Sequence, residues 1–241
     1  MDIYNNILTA LSNKEKLLAV LIDPDKMELT SLSGFIKNVN KTIATHIFVG
    51  GSIVEDYIMD DFVAEIKKHT TLPIIIFPGD VSQITNQANA ILFLSLISGR
   101  NPEYLIDKQI QAVSKLKDSN LEVIPTGYIL IENGKETSVQ RVSKTKPLDR
   151  NNVQLIADTA KAGEYLGKKL IYLEAGSGAK HAISSEIILK VKQNLNVPLI
   201  VGGGIRTKEQ LEAAFNSGAD LVVIGTAFED DANFFKQLIK T

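Results

Sequence analysis

The stretch PLIVGGGIRTKEQLEAAFNSGADLVVIGTA, residues 198–227, decides the fold. Its two apolar runs, Pro198–Val201 and Leu221–Ile224, are continuous rather than alternating, the pattern of strands buried on both faces and so of a parallel sheet. Between them Lys208–Ser217 has helical spacing, and Asn216, Ser217 and Gly218 close that helix. Glycine follows each run at once: Gly202, Gly203 and Gly204, then Ile205 and Arg206, after the first, and Gly225, Thr226 and Ala227 after the second. Glycine lets backbone approach a ligand closely, and N–H groups near a helix start grip phosphate oxygens. Tight strand-to-helix turns would use the same glycines, but two such loops in this order favour phosphate binding.

The same unit repeats upstream. Apolar runs rich in Val, Ile and Leu stand at Leu17–Ile22, His46–Val49, Pro73–Phe77, Ala90–Ser95, Glu122–Ile124 and Lys169–Leu173. Helical segments separate them at Ser31–Asn40, Val54–Lys68, Glu103–Lys117 and Val153–Leu166. Eight βα units in a chain of 241 residues predict an α/β fold, a TIM (β/α)8 barrel, over an open doubly wound sheet. No linker or repeat divides the chain, so residues 1–241 read as a single domain. Asp80–Asn89 is too short for a covering helix with its loops, and a gap in the outer ring is expected there, with the third helix shortened or replaced.

Composition excludes several classes. The net charge is -2 with no basic block, which offers no footprint for nucleic acid. The chain has no cysteine, which removes disulfides, thiolate metal sites and a Cys nucleophile and fits a cytoplasmic protein. Met1–Asn13 lacks the basic and apolar regions of a signal peptide. Runs such as Ala90–Ile97 fall far below the roughly 18 residues of a membrane span. The expectation is a soluble protein that a lipid substrate or product could bring to a membrane surface.

Function in barrels collects on the loops after the strands. After the sixth run the chain reads Tyr172-Leu173-Glu174-Ala175-Gly176-Ser177-Gly178. Tyr172 and Glu174 share a strand face; pointing inward, the carboxylate can accept a hydroxyl proton and the phenol can donate to the same substrate. The Gly176–Gly178 turn supplies further N–H groups. The first run ends in Asp23-Pro24-Asp25-Lys26, where an acid is a natural Mg2+ ligand or an Asp-Pro turn with a helix cap, evenly weighed. The second ends in Gly50-Gly51-Ser52, where the hydroxyl joins a metal shell or, the blander reading, caps a helix. His46, His69 and His181 show no metal-ligand spacing; the first two read as structural or surface residues, and His181 stays open. Tyr128–Arg150, with an Asn133-Gly134 turn, is either a flap over the mouth or a surface loop without fixed structure.

Taken in order, Leu21-Ile-Asp-Pro-Asp-Lys26, Val49-Gly-Gly-Ser52, Phe77-Pro-Gly79, Pro125-Thr-Gly-Tyr128, Tyr172–Gly178, Val201-Gly-Gly-Gly-Ile-Arg206 and Gly225-Thr226 resemble the geranylgeranylglyceryl phosphate synthase family. Glycine loops occur in many phosphate-binding barrels; the Asp-Pro-Asp, Gly-Gly-Ser and Tyr-Leu-Glu segments together are more specific. The closer likeness is to the branch with bacterial members of the Bacteroidetes type, not to heptaprenylglyceryl phosphate synthases. The resemblance implies a Mg2+-dependent prenyltransferase that joins the 3-hydroxyl of sn-glycerol 1-phosphate to geranylgeranyl diphosphate and releases diphosphate. It implies Asp23 and Ser52 as metal ligands, with Tyr172 and Glu174 orienting the hydroxyl and Glu174 as base. Tyr172, Leu173, Glu174, Ala175, Gly176, Ser177, Gly178, Gly203, Gly204, Gly225 and Thr226 would bind glycerol phosphate. It implies also a slot for the prenyl chain where the third helix is missing, lined or gated by Tyr104 and Tyr128 unless these are ordinary rim aromatics, and a homo-oligomer, dimer or hexamer. The chain departs from some relatives at Leu21, where they carry Lys; Lys26 and Arg206 are the candidates to compensate.

Two other functions use the same barrel. A sugar-phosphate isomerase or aldolase needs an acid/base pair across the mouth or a Schiff-base Lys, and no inward Lys is evident at the strand ends. A non-catalytic phosphate-ligand binder would leave Asp23 and Glu174 without chemistry to do.

Overall fold

The computed structural model describes residues 2–51, 58–230 and 232–240. Among them, β1 (Leu17–Ile22), β2 (His46–Val49), β3 (Ile74–Ile76), β4 (Ala90–Leu96), β5 (Glu122–Leu130), β6 (Leu170–Glu174), β7 (Leu199–Gly202) and β8 (Leu221–Ile224) pair in chain order. β8 returns to β1 in parallel, with Ala19 opposite Val223 and Val20 opposite Ile224, so the sheet closes and the open alternative falls. Strand limits agree with the sequence reading to within a residue except for β5, which continues six positions past Ile124. Pro125 and Gly127 interrupt the apolar run there, yet both keep register with β4, as Phe93 and Ser95 face them.

Period-two alternation divides each strand between two cores. Inward residues, among them Leu17, Ala19, Phe48, Ile75, Leu92, Ile124, Leu170, Ile200 and Leu221, fill the barrel in one cluster. Outward residues such as Val20, Ile47, Ile171, Val201 and Val222 pack under the helices in the other. Each Ile or Leu so buried contributes about 2 kcal/mol.

Helices α2 (Leu29–Val39), α3 (Ile58–Lys67), α4 (Lys108–Lys117), α6 (Val153–Tyr165), α7 (Ser185–Lys192) and α8 (Lys208–Asn216) cover the sheet. They follow a helix that the sequence reading passed over, α1 (Ile3–Ser12). Asp2 caps it by accepting from the Asn5 N–H at 3.1 Å, and Ile3, Ile7 and Ala10 form its buried stripe at helical spacing. The stripe belongs to the inner cluster. At the start of β5, the Glu122 carboxylate accepts the N–H groups of Ile3 and, at 3.0 Å, Tyr4. α1 therefore stoppers the barrel at the N-terminal ends of its strands.

Between β3 and β4 stands a single 3-10 turn, Val81–Gln83, with no covering helix. The expected gap in the outer ring is there. Tyr128–Arg150 is neither strandless nor unstructured: Tyr128–Leu130 completes β5, Gly134 turns at a φ of +90°, and α5 (Ser138–Ser143) follows. The chain ends in α9 (Thr226–Asp230) and α10 (Ala232–Gln237). Among the described residues, no helix is long and apolar enough to cross a membrane.

Candidate functional site

Register on β6 settles the orientation of the acid and the phenol. Tyr172 stands opposite Tyr128 and Ile200, and Glu174 opposite Leu130 and Gly202, all facing the barrel interior. Both side chains are buried, and both line one cavity at the C-terminal ends of the strands. Burial pushes the Glu174 carboxyl up to about 7, although the Gly176 N–H it accepts opposes the shift. The Tyr172 hydroxyl is buried and makes no hydrogen bond of good geometry, although it lies near enough to the Glu174 carboxyl to oppose the rise of that group's pKa. A buried polar atom left unpaired costs about 1–3 kcal/mol, which marks a hydroxyl kept for a ligand.

The glycine turns after β6, β7 and β8 converge on this acid. Gly203 adopts a φ of +84°, and a Cβ there would meet Glu174 Oε1 and stand 2.6 Å from the Gly176 nitrogen, so no other residue fits. Gly176, Ser177, Gly178, Gly203, Gly204, Arg206, Gly225 and Thr226 all line the cavity. Leu173 and Ala175 do not: their side chains sit in the outer core. Alternation along β6 is the reason, and it leaves these two residues of the substrate-binding stretch only their backbone groups to offer a ligand.

Across the mouth, Asp23 also lines the cavity. Its Oδ1 accepts from the Asp25 N–H at 3.2 Å, and its Oδ2 lies 3.5 Å from Lys26 Nζ. A Cβ on Gly51 would strike the Asp23 carboxylate, so the missing side chain keeps room for it. Among the described residues no three acids or histidines gather into a metal cluster. A lone carboxylate facing a phosphate site still fits magnesium, which takes one or two carboxylates and completes its shell with water and phosphate oxygens. Ser52 lies outside the described residues.

From this polar end the cavity, about 220 Å3, runs over the β3–β4 rim. Leu92 and Leu94 from the inner face of β4 line it, and so do Ile91 and Phe93 from the outer face, where the absent helix would have packed. Val81, Ile84, Tyr104, Ala112, Val139 and Val142 complete an apolar slot. Tyr104 is a wall residue whose hydroxyl donates to the Val142 carbonyl at 3.3 Å. Tyr128 is no rim aromatic: it is buried within the barrel, its ring 5.3 Å from that of Tyr172. Phe77 stacks on Tyr172 at 5.3 Å and 20° and completes an aromatic floor.

Sequence reasoning missed Phe77, although its position two residues past Ile75 already implied an inward side chain. It also missed Gln83, fully buried, whose side chain accepts from Gly79 N–H at 3.0 Å and donates to the Gly51 carbonyl at 2.7 Å. No sequence signal marks that long-range tie. The histidines stay away from the site's chemistry. His46 is buried, and burial lowers its pKa to about 4; His69 contacts Glu65 at 2.9 Å; His181 gives its backbone N–H to Asn133 at 3.1 Å.

The model of the PcrB family matches residues 11–241. A geranylgeranylglyceryl phosphate synthase of Flavobacterium johnsoniae is 59% identical over 233 residues, 97% of this chain and 96% of that one. The synthase of that name from Thermococcus kodakarensis is 43% identical over 218 residues, 90% and 85% of the two chains. Among solved structures, (S)-3-O-geranylgeranylglyceryl phosphate synthase from Thermoplasma acidophilum, in complex with its substrate sn-glycerol-1-phosphate, superposes with a TM-score of 0.92. It is 34% identical, and the match covers 99% of this chain and 96% of that one. With a matching family model and close relatives along nearly its whole length, the chain belongs to the PcrB family, that of the geranylgeranylglyceryl phosphate synthases.

Proposed function

We propose that the protein is a prenyltransferase that joins the 3-hydroxyl of sn-glycerol 1-phosphate to C1 of geranylgeranyl diphosphate. The observation that carries this reading is one continuous cavity with two characters: a polar end with Glu174, Tyr172 and the glycine turns, and an apolar slot through the gap in the helical ring. A substrate pair of one phosphorylated polyol and one long apolar diphosphate matches that division. Burying each methylene of the chain is worth about 0.8 kcal/mol, so the slot can supply much of the affinity.

The turns after β6, β7 and β8 hold the phosphate of glycerol phosphate by backbone N–H groups. Tyr172 donates its unpaired hydroxyl to the substrate and orients it. Glu174, poised near 7, takes the proton of the 3-hydroxyl as its oxygen bonds to C1; the C1–O bond breaks, and diphosphate leaves with the electron pair. The aromatic floor and the walls of the slot keep water from C1. Asp23 would hold magnesium, with Ser52 the second candidate ligand from the sequence, and when bound the ion supplies the positive charge that compensates the departing diphosphate. On the same reading the enzyme works in the cytoplasm as a homo-oligomer, which rests on the cysteine-free composition and the family resemblance.

Incubation of the purified protein with Mg2+, geranylgeranyl diphosphate and sn-glycerol 1-phosphate should give an extractable ether-linked lipid phosphate. Absence of product across a panel of prenyl diphosphates would reject the reading.

A further inference from the structure

The phosphate turn has a second layer. Residues 133–137, from the segment between β5 and α5, lie across Gly176–Gly178 and are fixed there at several points. Asn133, buried, donates its side-chain amide to the Ala175 carbonyl, and its backbone carbonyl accepts the His181 N–H at 3.1 Å. The Asn133 Oδ1 in turn accepts the Lys135 N–H at 3.2 Å. Thr137, also buried, packs where a Cβ on Gly176 would stand. The Lys135 ammonium ends 3.0 Å from the position of a Cβ on Gly178.

Among the described residues, neither flanking carboxylate forms an ion pair with that ammonium. Of the flanking acids, Glu132 accepts the Gly134 N–H at 2.5 Å, and Glu136 faces Arg141 at 3.7 Å. On the other side of the turn the Lys26 ammonium lies 3.4 Å from Ser177 Oγ. Lys26 arrives from the loop after β1 and Lys135 from the segment after β5, strands on opposite sides of an eight-stranded ring. Two cations from opposite walls thus flank the Gly176–Gly178 turn, Lys26 at Ser177 and Lys135 at Gly178, and each adds positive charge where a dianion would bind.

We infer that Lys135 is a phosphate-binding residue: its ammonium, delivered by the 133–137 strap, holds the phosphate of glycerol phosphate over the Gly176–Gly178 turn. The inference deepens the proposed function and rests on it. It also adds a residue from the opposite wall of the barrel to Lys26 and Arg206, the candidates that the motifs offered for the departure at Leu21, both of which line the cavity. Backbone N–H groups shape the turn for a tetrahedral anion, and Lys135 adds the charge that a neutral ligand would not need.

Calorimetric titration of metal-free protein with inorganic phosphate and with sn-glycerol 1-phosphate tests this apart from catalysis. Lys135→Ala should weaken both ligands on the order of ten-fold, and Lys135→Arg should recover most of the loss. Unfolding temperature should not change, since Lys135 is exposed, and the KM for prenyl diphosphate should move far less than that for glycerol phosphate. Phosphate affinity within about two-fold of wild type in Lys135→Ala, or an equal loss toward inorganic diphosphate, overturns the assignment. Failure of the wild-type protein to form any ether product sinks the proposed reaction instead, and the phosphate titration still reads out separately.

Discussion

Glu174 Oε1 accepts the backbone N–H of Gly176 at 2.5 Å, which ties the buried acid of the cavity to the first glycine of the phosphate turn. Base and anion site are therefore positioned by one short piece of chain, and displacement of either moves the other. Glu174→Gln keeps the acceptor and removes the base. Turnover should fall by about a thousand-fold, while glycerol phosphate binding stays within a few-fold; loss of binding in parallel with rate would point to a structural role.

The pH profile follows from the same residue. With the Glu174 pKa raised to about 7 by burial, kcat/KM should climb through that region and level off above it. Stability runs the other way. The folded state holds this proton more tightly than the unfolded chain, so stability falls as pH rises from the ordinary 4.5 to about 7 and stays lower beyond. Glu174→Gln should gain about 3 kcal/mol at most at pH 8 and nothing near pH 4, which denaturant titrations at the two pH values can check.

Removal of the Tyr172 hydroxyl separates chemistry from folding just as cleanly. The atom is buried and unpaired, so Tyr172→Phe should leave the melting temperature equal or higher. Its rate should drop by about ten- to a hundred-fold. A clear loss of stability would mean that the hydroxyl serves the fold.

Gly203→Ala should damage the site well beyond the strain of its backbone. The left-handed conformation alone costs about 1–2 kcal/mol, and Gly167→Ala, at a φ of +83° with nothing within 4 Å, isolates that cost. At Gly203 the added methyl also meets Glu174 Oε1 and the backbone of Ala175 and Gly176. Equal destabilisation by the two substitutions, with phosphate binding intact in both, would show that the close approach at Gly203 is unimportant.

Magnesium and slot have their own tests. Asp23→Asn should raise the Mg2+ concentration for half-maximal rate at least about ten-fold with metal-free phosphate binding preserved. Ala112 is buried on the slot wall, and Ala112→Phe should raise the KM for geranylgeranyl diphosphate much more than that for a shorter prenyl diphosphate. Uniform effects across chain lengths would place the prenyl chain elsewhere.

The barrel was legible because its strands are continuous apolar runs ended by glycine, and Tyr172 and Glu174 were legible because strand alternation fixes a shared face. β5 was cut short in the reading since Pro125 and Gly127 are poor strand formers, and pairing on both sides overrides that preference. α1 carried its signal in Asp2, Ile3, Ile7 and Ala10, but its reason lies in the barrel end that it fills. Lys135 carried none. It follows β5 by several residues and reaches Gly178 only through the contacts of Asn133 and Thr137, which no spacing along the chain encodes.

With α1 seated across the bottom of the barrel, the cavity faces outward at the glycine turns of the mouth and along the uncovered β3–β4 flank. A polar guest has the mouth and a greasy one the flank, so neither has to pass the other on its way in. The kinetics should then be sequential without a compulsory order, each substrate binding in the absence of the other.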